Sequence, residues 1–499
     1  MNKSYINKNI LFVYPNCTET FWSFDKIMKI IGKKAAYPPL GLLTVAAMLP
    51  ENWNKKLIDM NCEILKDEDI KWADYVFISA MLVQKESSKR LINKVKRFGK
   101  PIVAGGPLFT TGYEDFPEVD HLVLGEVEET IKRFLEDIEK GSPERIYFTQ
   151  EFPDLTKSVI PQWSLIKLSR YNSMSIQYSR GCPFDCEFCD VVRLNGHSPR
   201  FKTSEQVISE LDALYHHGWH AGVFFVDDNF VSNKRNVKRE LLPAIINWQK
   251  ERGRPFTFNT QASINLADDD ELMKLMVEAG INSVFIGIES PDNDSLEEAN
   301  KSQNKNRNLL ESVKKIQKAG MEVQAGFIVG FDSDKPSIFQ RQIDFIQKSG
   351  IVTAMVGLLI ALPKTRLYNR LLETNRLVKE GSANNTKASA LNFTPKMDRQ
   401  VLLNGHKQIL DTIYSPKFYY ERIRTFLREF KPAKGKFPRP RLYHIKALFA
   451  SIWTLGIRKR GRIYYWKLFF WSIFRRPRLF PYTIGLSIIG IHFRMVSSY

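Results

Sequence analysis

The stretch Ser179-Arg-Gly-Cys-Pro-Phe-Asp-Cys-Glu-Phe-Cys189 places three cysteines in the spacing C-x3-C-x2-C. Three thiolates on one loop can bind three irons of a cubane cluster and leave the fourth iron open to a ligand from outside the protein. The motif follows a predicted strand, residues 175–179, at the rim where barrels place their chemistry. The sequence therefore predicts that Cys182, Cys186 and Cys189 hold a [4Fe-4S] cluster.

Zinc is the alternative occupant of such a loop. A structural zinc site requires four protein ligands, and no fourth cysteine lies near the loop, so His197 would have to serve.

The other cysteines, Cys17 and Cys62, stand alone, and five cysteines in 499 residues do not suggest a disulfide framework. The N-terminus carries only a short apolar run that ends at Pro15, with no small-residue cleavage site. We therefore expect a cytoplasmic protein.

The length and composition are typical of a folded protein with several domains. A prior of about 100–200 residues per domain suggests two to four, and 43% hydrophobic with 25% charged residues is close to the globular average. The net charge of +19 is unevenly distributed. From Lys431 to the end there are 15 Lys and Arg and no Asp or Glu, whereas residues 1–430 hold 58 basic and 54 acidic side chains. The basicity is therefore a property of the C-terminal tail.

Residues 1–145 alternate short apolar runs with amphipathic helical patterns, which predicts a doubly wound, Rossmann-like α/β domain. The predicted strands are residues 9–14, 56–60, 75–79, 101–104 and 121–124, and the predicted helices are residues 39–49, 87–98 and 128–140. Several strands run directly into turn residues, such as Gly105, Gly106 and Pro107 after the fourth strand and Gly125 after the fifth. In a doubly wound sheet the ligand lies at these carboxyl ends, so this domain is predicted to bind one.

A second β/α series occupies residues 174–395, after residues 146–173, which are predicted to be a linker because they lack a sustained period. Its predicted strands are residues 175–179, 222–227, 256–261, 283–289, 322–330 and 353–362, and its helices include residues 204–216, 236–252, 269–279, 306–319 and 335–349. Six strand–helix units predict a partial, TIM-like (β/α)6 barrel with its functional face at the carboxyl rim. Residues 396–499 are predicted to form a mainly helical domain with a basic, aromatic tail.

The cysteine loop after the first barrel strand, with Phe188 directly before the last cysteine, resembles the radical S-adenosylmethionine (SAM) superfamily. The resemblance implies that SAM binds the open iron, and that one electron from a reductant such as flavodoxin or ferredoxin cleaves it to methionine and a 5′-deoxyadenosyl radical. The positions that it implies for SAM binding are Phe188, Asp228, Asn229, Gln261, Ser263, Gly287, Glu289, Gly326 and Gly330.

Four of these positions also have a purely structural interpretation. Asp228 and Asn229 stand where the superfamily has a Gly-Gly-Glu segment, and Asp228 could instead belong to a solvated turn or cap a helix. Gly287 and Gly326 could relieve crowding in a strand, and Glu289 could be an ion-pair partner. Their joint placement at predicted strand ends favours a binding site.

A Rossmann-like domain before a radical SAM barrel resembles the cobalamin-binding subgroup, and the likeness lies in residues 37–49, 57–61, 105–107 and 124–130. The cobalamin contacts that it implies are Gly105, Gly106, Pro107, Gly125 and Glu126. The Asp-x-His-x-x-Gly motif of cobalamin-dependent mutases is missing, and all eight histidines lie at position 121 or later. We therefore expect cobalamin to bind without a histidine ligand from that motif, the alternative being a degenerate domain without a cofactor.

The C-terminal part resembles a domain of unknown function in cobalamin-type radical SAM proteins that include hopanoid C-2 methylases and relatives of bacteriochlorophyll side-chain methylases. Its apolar stretches, residues 445–457, 463–474 and 483–493, are too short or too interrupted by charge to span a bilayer, which needs about 20 apolar residues. Cations interleaved with 15 aromatic residues from Phe437 onward are typical of an interfacial segment. This pattern predicts that residues 431–499 contact the inner face of the membrane peripherally. The alternatives are a helical cap with a solvated basic face and RNA binding.

Together these features predict a cobalamin-dependent radical SAM methyltransferase that acts on an unactivated carbon of a lipophilic, isoprenoid or lipid-like small molecule. With the same cofactors, the substrate radical could instead be oxidised, cyclised or joined to another carbon. An RNA methylthiotransferase would need more cysteines for an auxiliary cluster than Cys17 and Cys62 provide, so nucleic acid is not expected as a partner. An alternative from another class is a membrane-associated, non-catalytic iron–sulfur or cobalamin sensor.

Overall fold

Two six-stranded parallel sheets carry the fold, one in each of the predicted β/α series. The structure is a computed structural model that describes residues 6–378, 390–432 and 442–497. The predicted α/β class is confirmed, with a Rossmann-like half, an open six-stranded barrel half and a helical C-terminal part.

The first sheet has the strand order β2-β1-β3-β4-β5-β6, with every neighbouring pair parallel. Its strands are β1 (Asn9–Tyr14), β2 (Asn54–Asp59), β3 (Tyr75–Ser79), β4 (Ile102–Gly105), β5 (His121–Val123) and β6 (Ile146–Tyr147). The accompanying helices are α1 (Asp25–Ile30), α2 (Leu40–Met48), α3 (Asp67–Trp72), α4 (Lys85–Lys96), α5 (Pro107–Gly112) and α6 (Val127–Glu139). The order reverses beside β1, which creates a crevice at the carboxyl edge between β1 and β3.

Strand β6 lies in residues that the sequence predicted to be a linker. It consists of two residues only, so it has no alternation that a pattern could reveal. The fully buried Tyr147 holds it in place, because its ring packs edge-on against Phe134 with 5.3 Å between centroids. Its hydroxyl donates to Asp137 Oδ2 at 3.0 Å.

The second sheet has the order β14-β13-β12-β11-β10-β7, with neighbours in chain order and all parallel, as in an open barrel. Its strands are β7 (Ser173–Ile176), β10 (Gly222–Phe225), β11 (Thr257–Gln261), β12 (Ile281–Glu289), β13 (Glu322–Val329) and β14 (Ala354–Leu358). The connecting helices are α7 (Val191–Asn195), α8 (Ser204–His216), α9 (Lys234–Asn236), α10 (Leu242–Glu251), α11 (Asp270–Ala279), α12 (Asn293–Glu298), α13 (Leu309–Ala319) and α14 (Ile338–Ser349). A π-helical turn, Val237–Leu241, joins α9 to α10 within the predicted helix 236–252.

A short antiparallel ribbon that the sequence did not predict flanks the cysteine loop. It pairs β8 (Ser179–Arg180) with β9 (Arg200–Phe201). The loop and α7 lie between these two strands, so the ribbon closes the cysteine segment at its base.

The C-terminal part is helical. Its helices are α15 (Arg366–Glu373), α16 (Arg399–Ile413), α17 (Pro416–Glu429), α18 (Leu442–Ser451), α19 (Arg462–Arg475) and α20 (Phe480–Val496), and a π-helix, Ile452–Arg458, continues α18. Residues 433–441 and 498–499 of the predicted basic tail lie outside the described residues.

One helical segment in the described part of the chain, Pro477–Val496, is long and apolar enough to cross a membrane by length and composition. The apolar stretch predicted here, residues 483–493, is shorter. The 3₁₀ turn Pro477–Leu479 runs directly into α20 and lengthens the helical segment. Within the structure, 61% of the apolar window is buried. Length and composition alone are weak support for a span, since a core helix meets the same criterion.

Acidification is expected to weaken the contact between α16 and the barrel. His406 is fully buried, and its Nε2 lies 3.0 Å from the Val356 carbonyl oxygen. Burial lowers the pKa of His406 to about 4, so the unfolded chain takes up a proton before the folded one. The free energy of unfolding should therefore fall by about 3 kcal/mol as pH drops from the ordinary histidine pKa to the lowered one. Urea unfolding of the wild type and of His406→Gln at neutral and acidic pH checks this, and an unchanged acid dependence in the variant would contradict it.

Candidate active site

A glycine and an aspartate fix the base of the cysteine loop, residues 181–190. Gly181 has φ +95°, and a Cβ at this position would lie 2.9 Å from the Gly196 carbonyl oxygen, so only glycine fits. The Gly181 N–H donates to Asp228 Oδ2 at 2.9 Å, and Asn195 Nδ2 donates to the same oxygen at 3.0 Å. Asp228 at the end of β10 therefore positions the loop that carries the cysteines.

The three thiols are partly buried beside a buried cation. Burial raises the pKa of Cys182, Cys186 and Cys189, to about 12 for Cys189, and the nearby Lys301 ammonium opposes the rise. Coordination to a metal deprotonates a thiol outright, so this donor set fits an iron–sulfur cluster. His197, the only candidate for a fourth zinc ligand from the sequence, is exposed.

Lys301 is held by Glu289, which ends β12. Lys301 Nζ lies 2.8 Å from Glu289 Oε1, and both side chains are almost completely buried. Burial acts to lower the pKa of Lys301, but Glu289 and the thiols of Cys186 and Cys189 outweigh it and raise that pKa. Lys301 Nζ is also 6.0 Å from the centroid of the Phe188 ring. No sequence motif marks Lys301, because only the fold brings it next to the cysteines.

The backbone of Glu289 adopts an unusual conformation next to Gly287. Glu289 has φ +62°, and the pairing of β12 with β13 shifts register between Gly287 and Glu289. A Cβ at Gly287 would lie 2.1 Å from Glu289 Oε1 and 2.8 Å from Lys301 Nζ. Gly287 is therefore needed for the ion pair to lie across the strand. Left-handed non-glycine residues and bulges of this kind cluster at functional sites.

Other predicted SAM positions join neighbouring strand ends. Asn229 Oδ1 accepts from the Ser263 N–H at 3.1 Å, and the Gln261 carbonyl accepts from the Phe230 N–H at 2.9 Å. These bonds tie the segment after β10 to the end of β11. The SAM contacts of Asn229, Gln261 and Ser263 stay a prediction, as does that of Asp228.

Gly326 and Gly330 lie on and after β13, and the fold gives each a steric reason. A Cβ at Gly326 would lie 3.1 Å from Phe285 Cζ. Gly330 has φ +111°, and its N–H donates to Asp334 Oδ2 at 2.8 Å. Their predicted role beside adenine is compatible with these contacts and remains a prediction.

The carboxyl edge of the first sheet faces the carboxyl rim of the barrel. Glu126, just after β5, is bound by two arginines of the β8–β9 ribbon: Arg180 Nη1 lies 2.6 Å from Oε2 and Arg200 Nη2 lies 2.5 Å from Oε1. Glu128 adds a second contact, 2.7 Å from Arg180 Nη2. Lys364, after β14, donates to the Thr110 carbonyl at 3.1 Å. We call the Glu126–Arg180–Arg200 cluster the interdomain bridge.

The predicted cobalamin positions lie along this facing edge. Gly106 has φ +88°, and a Cβ there would lie 2.6 Å from Ser79 Oγ, while a Cβ at Gly105 would lie 2.7 Å from the Val123 carbonyl. Pro107 begins α5, and the Gly125 N–H donates to Thr110 Oγ1 at 3.0 Å. These small residues let the edge loops pack closely, and glycines at strand ends also allow a cofactor such as a corrin to approach the backbone.

The positions of Glu126 and His121 bear on the cobalamin prediction. The Glu126 carboxylate is occupied by the interdomain bridge, so its predicted contact with cobalamin stays a prediction. His121 is the first residue of β5 and lies at the amino edge, where its Nδ1 is 2.7 Å from the Glu144 carbonyl. It is therefore at the wrong end of the strand to bind cobalt.

Comparison with known proteins agrees with this geometry. The chain matches the B12 binding domain over residues 31–135, the radical SAM superfamily over residues 176–360 and a domain of unknown function over residues 365–499. These matches define the class as radical SAM enzymes with a B12-binding domain, so its cofactors are a [4Fe-4S] cluster, SAM and cobalamin. Zinc and a cofactor-free N-terminal domain are thereby set aside.

Within that class, the chain belongs to the methyltransferase family that includes the hopanoid C-2 methylase of Rhodopseudomonas palustris. It is 34% identical to that protein over 475 residues, which cover 92% of this chain and 88% of the relative. It is 42% identical over 487 residues to an uncharacterized methyltransferase of Synechocystis sp., covering 97% of this chain and 91% of the relative. The family assignment confirms a cobalamin-dependent radical SAM methyltransferase and rejects a non-catalytic sensor.

A solved structure shows the same arrangement of domains. The radical SAM methyltransferase TsrM from Kitasatospora setae, with cobalamin and a [4Fe-4S] cluster bound, aligns with a TM-score of 0.64 over 99% of this chain and 100% of that chain. The two sequences are 14% identical, so the likeness is one of fold.

Proposed function

We propose that this enzyme methylates an unactivated carbon of a lipophilic small molecule, isoprenoid or lipid-like in character. The observation that carries the proposal is an aromatic contact between the two cofactor-binding halves. Trp22, in the segment after β1, lies with its ring centroid 4.9 Å from that of Phe285 on β12. Trp22 remains 40% exposed. A large apolar side chain that stays partly exposed to solvent at such a junction can contact an apolar ligand.

A second aromatic contact extends this apolar surface. Tyr37 lies 5.2 Å from Phe224 of β10, again joining the N-terminal segment to a barrel strand. Phe285 lies two residues before Gly287 and packs over Gly326, so the surface is continuous with the predicted SAM positions. We define these four aromatic side chains as the aromatic wall.

The cofactors supply the proposed chemistry, and the residues of the chain position the domains and the substrate. When bound, the cluster with SAM supplies hydrogen-atom abstraction from carbon, and cobalamin supplies the methyl group. The interdomain bridge holds the two facing edges together, and the aromatic wall orients the substrate and excludes water. No general acid or base from the chain is required for a transfer of this kind.

The relatives support the substrate class as a proposal. Besides the hopanoid C-2 methylase, the chain is 24% identical over 354 residues to the bacteriochlorophyllide d C-12(1)-methyltransferase of Chlorobaculum tepidum. Their names state methylation of a hopanoid and of a bacteriochlorophyllide. We further propose a cytoplasmic location with peripheral membrane contact through residues 431–499, and flavodoxin or ferredoxin as the reductant.

Anaerobic turnover with methyl-labelled SAM and separate lipid and water-soluble extracts tests the substrate class. The proposal expects label in a component of the lipid extract, detected by mass spectrometry. Label confined to the water-soluble extract would contradict it. A lipid product that changes mass without gaining label would favour the oxidation, cyclisation or carbon–carbon joining that the same cofactors allow.

Trp22→Ala is expected to weaken substrate binding and to leave the cofactors in place. Loss of a substrate contact with one large aromatic side chain costs about 2 kcal/mol, so KM for the lipophilic substrate should rise roughly 30-fold. Iron and cobalamin content should stay unchanged. Trp72→Ala, which removes a similarly exposed tryptophan (37%) from α3, is the matched control. Equal KM values for the two variants would remove Trp22 from the aromatic wall.

A further inference from the structure

We infer that the outer face of α18, its π-helical continuation and α19 is a docking surface for an anionic lipid bilayer. The inference rests on the proposed function and deepens it, because an enzyme whose substrate is dissolved in lipid must contact the bilayer to reach it. The apolar side chains of the docking face are between 48% and 78% exposed, and they are Ile445, Phe449, Trp453, Ile457, Ile463, Phe470 and Phe474.

Helical spacing places these side chains in two rows. Ile445, Phe449, Trp453 and Ile457 recur every four residues along α18 and the π-helix, so they follow one side of that segment. On α19, the exposed positions from Ile463 onward are separated by seven and four residues, which is again one side of a helix. Each row is an amphipathic stripe that lacks a partner within the described part of the chain.

Trp466 joins the two rows into one surface. Its Nε1 donates to the Gly456 carbonyl at 3.0 Å, and its ring stacks on Phe470 with 5.6 Å between centroids. The opposite side of α19 is buried, as Tyr465 and Leu468 show. The helices are therefore packed on their inner side, and the outer apolar rows are a separate feature of the surface.

The charges around the docking face select its partner. Residues 442–497 contain ten Lys and Arg and no Asp or Glu. Four of these cations precede or begin α19, from Arg458 to Arg462, and three lie at or just after its end, from Arg475 to Arg478. In the described ranges, no carboxylate forms an ion pair with a cation between Arg458 and Arg478. Apolar and aromatic side chains rimmed by cations match a bilayer with anionic headgroups.

The same charges disfavour the other occupants. A second copy of this chain would bring its cations against those of the first, and like charges repel across an interface. RNA would pair with the cations, but it would not explain why the aliphatic and aromatic side chains of the two rows are exposed. The bilayer is the partner that accounts for both the rows and their rim.

The docking face is connected to the aromatic wall through α20. His492 of α20 has Nε2 3.1 Å from the carbonyl oxygens of both Thr20 and Phe21, the two residues before Trp22. Ile484 and Ile488 of α20 pack with Ile27 and Met28 of α1 in one apolar cluster. α20 therefore lies between the docking face and the segment that carries Trp22, which places the membrane beside the junction of the two halves.

Co-sedimentation of the full-length holoenzyme with vesicles tests the inference. The vesicles are phosphatidylcholine alone or phosphatidylcholine mixed with phosphatidylglycerol. We expect the wild type to bind the anionic vesicles, and the triple variant Phe449→Ser/Trp453→Ser/Phe470→Ser to bind them at least about 10-fold more weakly. The matched control is Ile64→Ser/Phe148→Ser/Ile160→Ser, which removes three exposed apolar side chains elsewhere and should bind like the wild type. A second variant, Arg458→Gln/Arg460→Gln/Arg462→Gln, should also lose binding and guards against misfolding of the first.

The outcomes separate this inference from the proposed function. Equal binding of the wild type and both tail variants, or no binding of the wild type to anionic vesicles, would overturn the docking face. A wild-type dimer in sedimentation velocity that the apolar variant abolishes would also overturn it, in favour of a second copy. Methyl transfer to a detergent-dispersed lipid extract should be unchanged in the tail variants, and its failure in the wild type would count against the proposed function alone.

Discussion

Replacing Cys186 with alanine is expected to reduce 5′-deoxyadenosine formation from SAM to background. The cluster needs three thiolates from one loop, and the two cysteines outside that loop, Cys17 and Cys62, belong to the first domain. The variant should contain little iron and sulfide after anaerobic reconstitution, while SAM remains intact. Iron analysis and chromatography of the nucleoside product measure both effects.

Cys62→Ala is the control for this prediction. Cys62 lies after β2, where its Sγ is 3.6 Å from Asp59 Oδ2, outside the cysteine loop. This variant should keep its iron and still cleave SAM. A Cys186→Ala protein with full iron content and normal 5′-deoxyadenosine formation would show that the loop does not hold the cluster.

Glu126→Ala is expected to destabilise the contact between the two halves by about 3–5 kcal/mol, the usual effect of removing one partner of a buried ion pair. Glu126 is only 7% exposed, and the two arginines that it binds are 15% and 18% exposed. Arg180 would keep Glu128, but Arg200 would keep no carboxylate among its described partners, only two carbonyl oxygens and the Phe152 ring. Methyl transfer should fall more than SAM cleavage, because the two cofactor-binding edges would be aligned less firmly.

The matched control is Glu144→Ala in the same domain. Glu144 pairs with Arg133, and these side chains are 52% and 56% exposed, so solvent screening should make the loss of stability small. Urea unfolding compares the two variants, and the ratio of methylated product to 5′-deoxyadenosine reports the coupling. Equal stability of both variants, with an unchanged ratio, would mean that the bridge does not align the halves.

The sequence predicts the long elements well because they carry a clear period. β12 was predicted as residues 283–289 and is Ile281–Glu289, and the helix predicted at residues 204–216 is Ser204–His216. Two-residue strands such as β6, β8 and β9 contain no repeat of either period, so they were missed. The π-helical turn after α9 was missed for a similar reason, since one inserted residue hardly alters a helical pattern.

The candidate site was predicted in part. The three cysteines and their fold context follow from local spacing, and the family assignment supports the predicted cofactors. Lys301 and Trp22 were missed because their partners, Glu289 and Phe285, are brought to them only by the fold. Glu126 was noticed through the resemblance, but its arginine partners come from the ribbon that the sequence did not reveal.

The most direct test of the central claim follows a hydrogen atom from the substrate. A lipid extract from cells grown in deuterated medium is incubated anaerobically with the holoenzyme, methyl-labelled SAM and a reductant. If the cysteine loop supports abstraction of hydrogen from a carbon of the substrate, deuterium will enter 5′-deoxyadenosine together with transfer of the labelled methyl group to a lipid. Deuterium-free 5′-deoxyadenosine, formed at the same rate with and without the extract and with no methylated lipid, would contradict it.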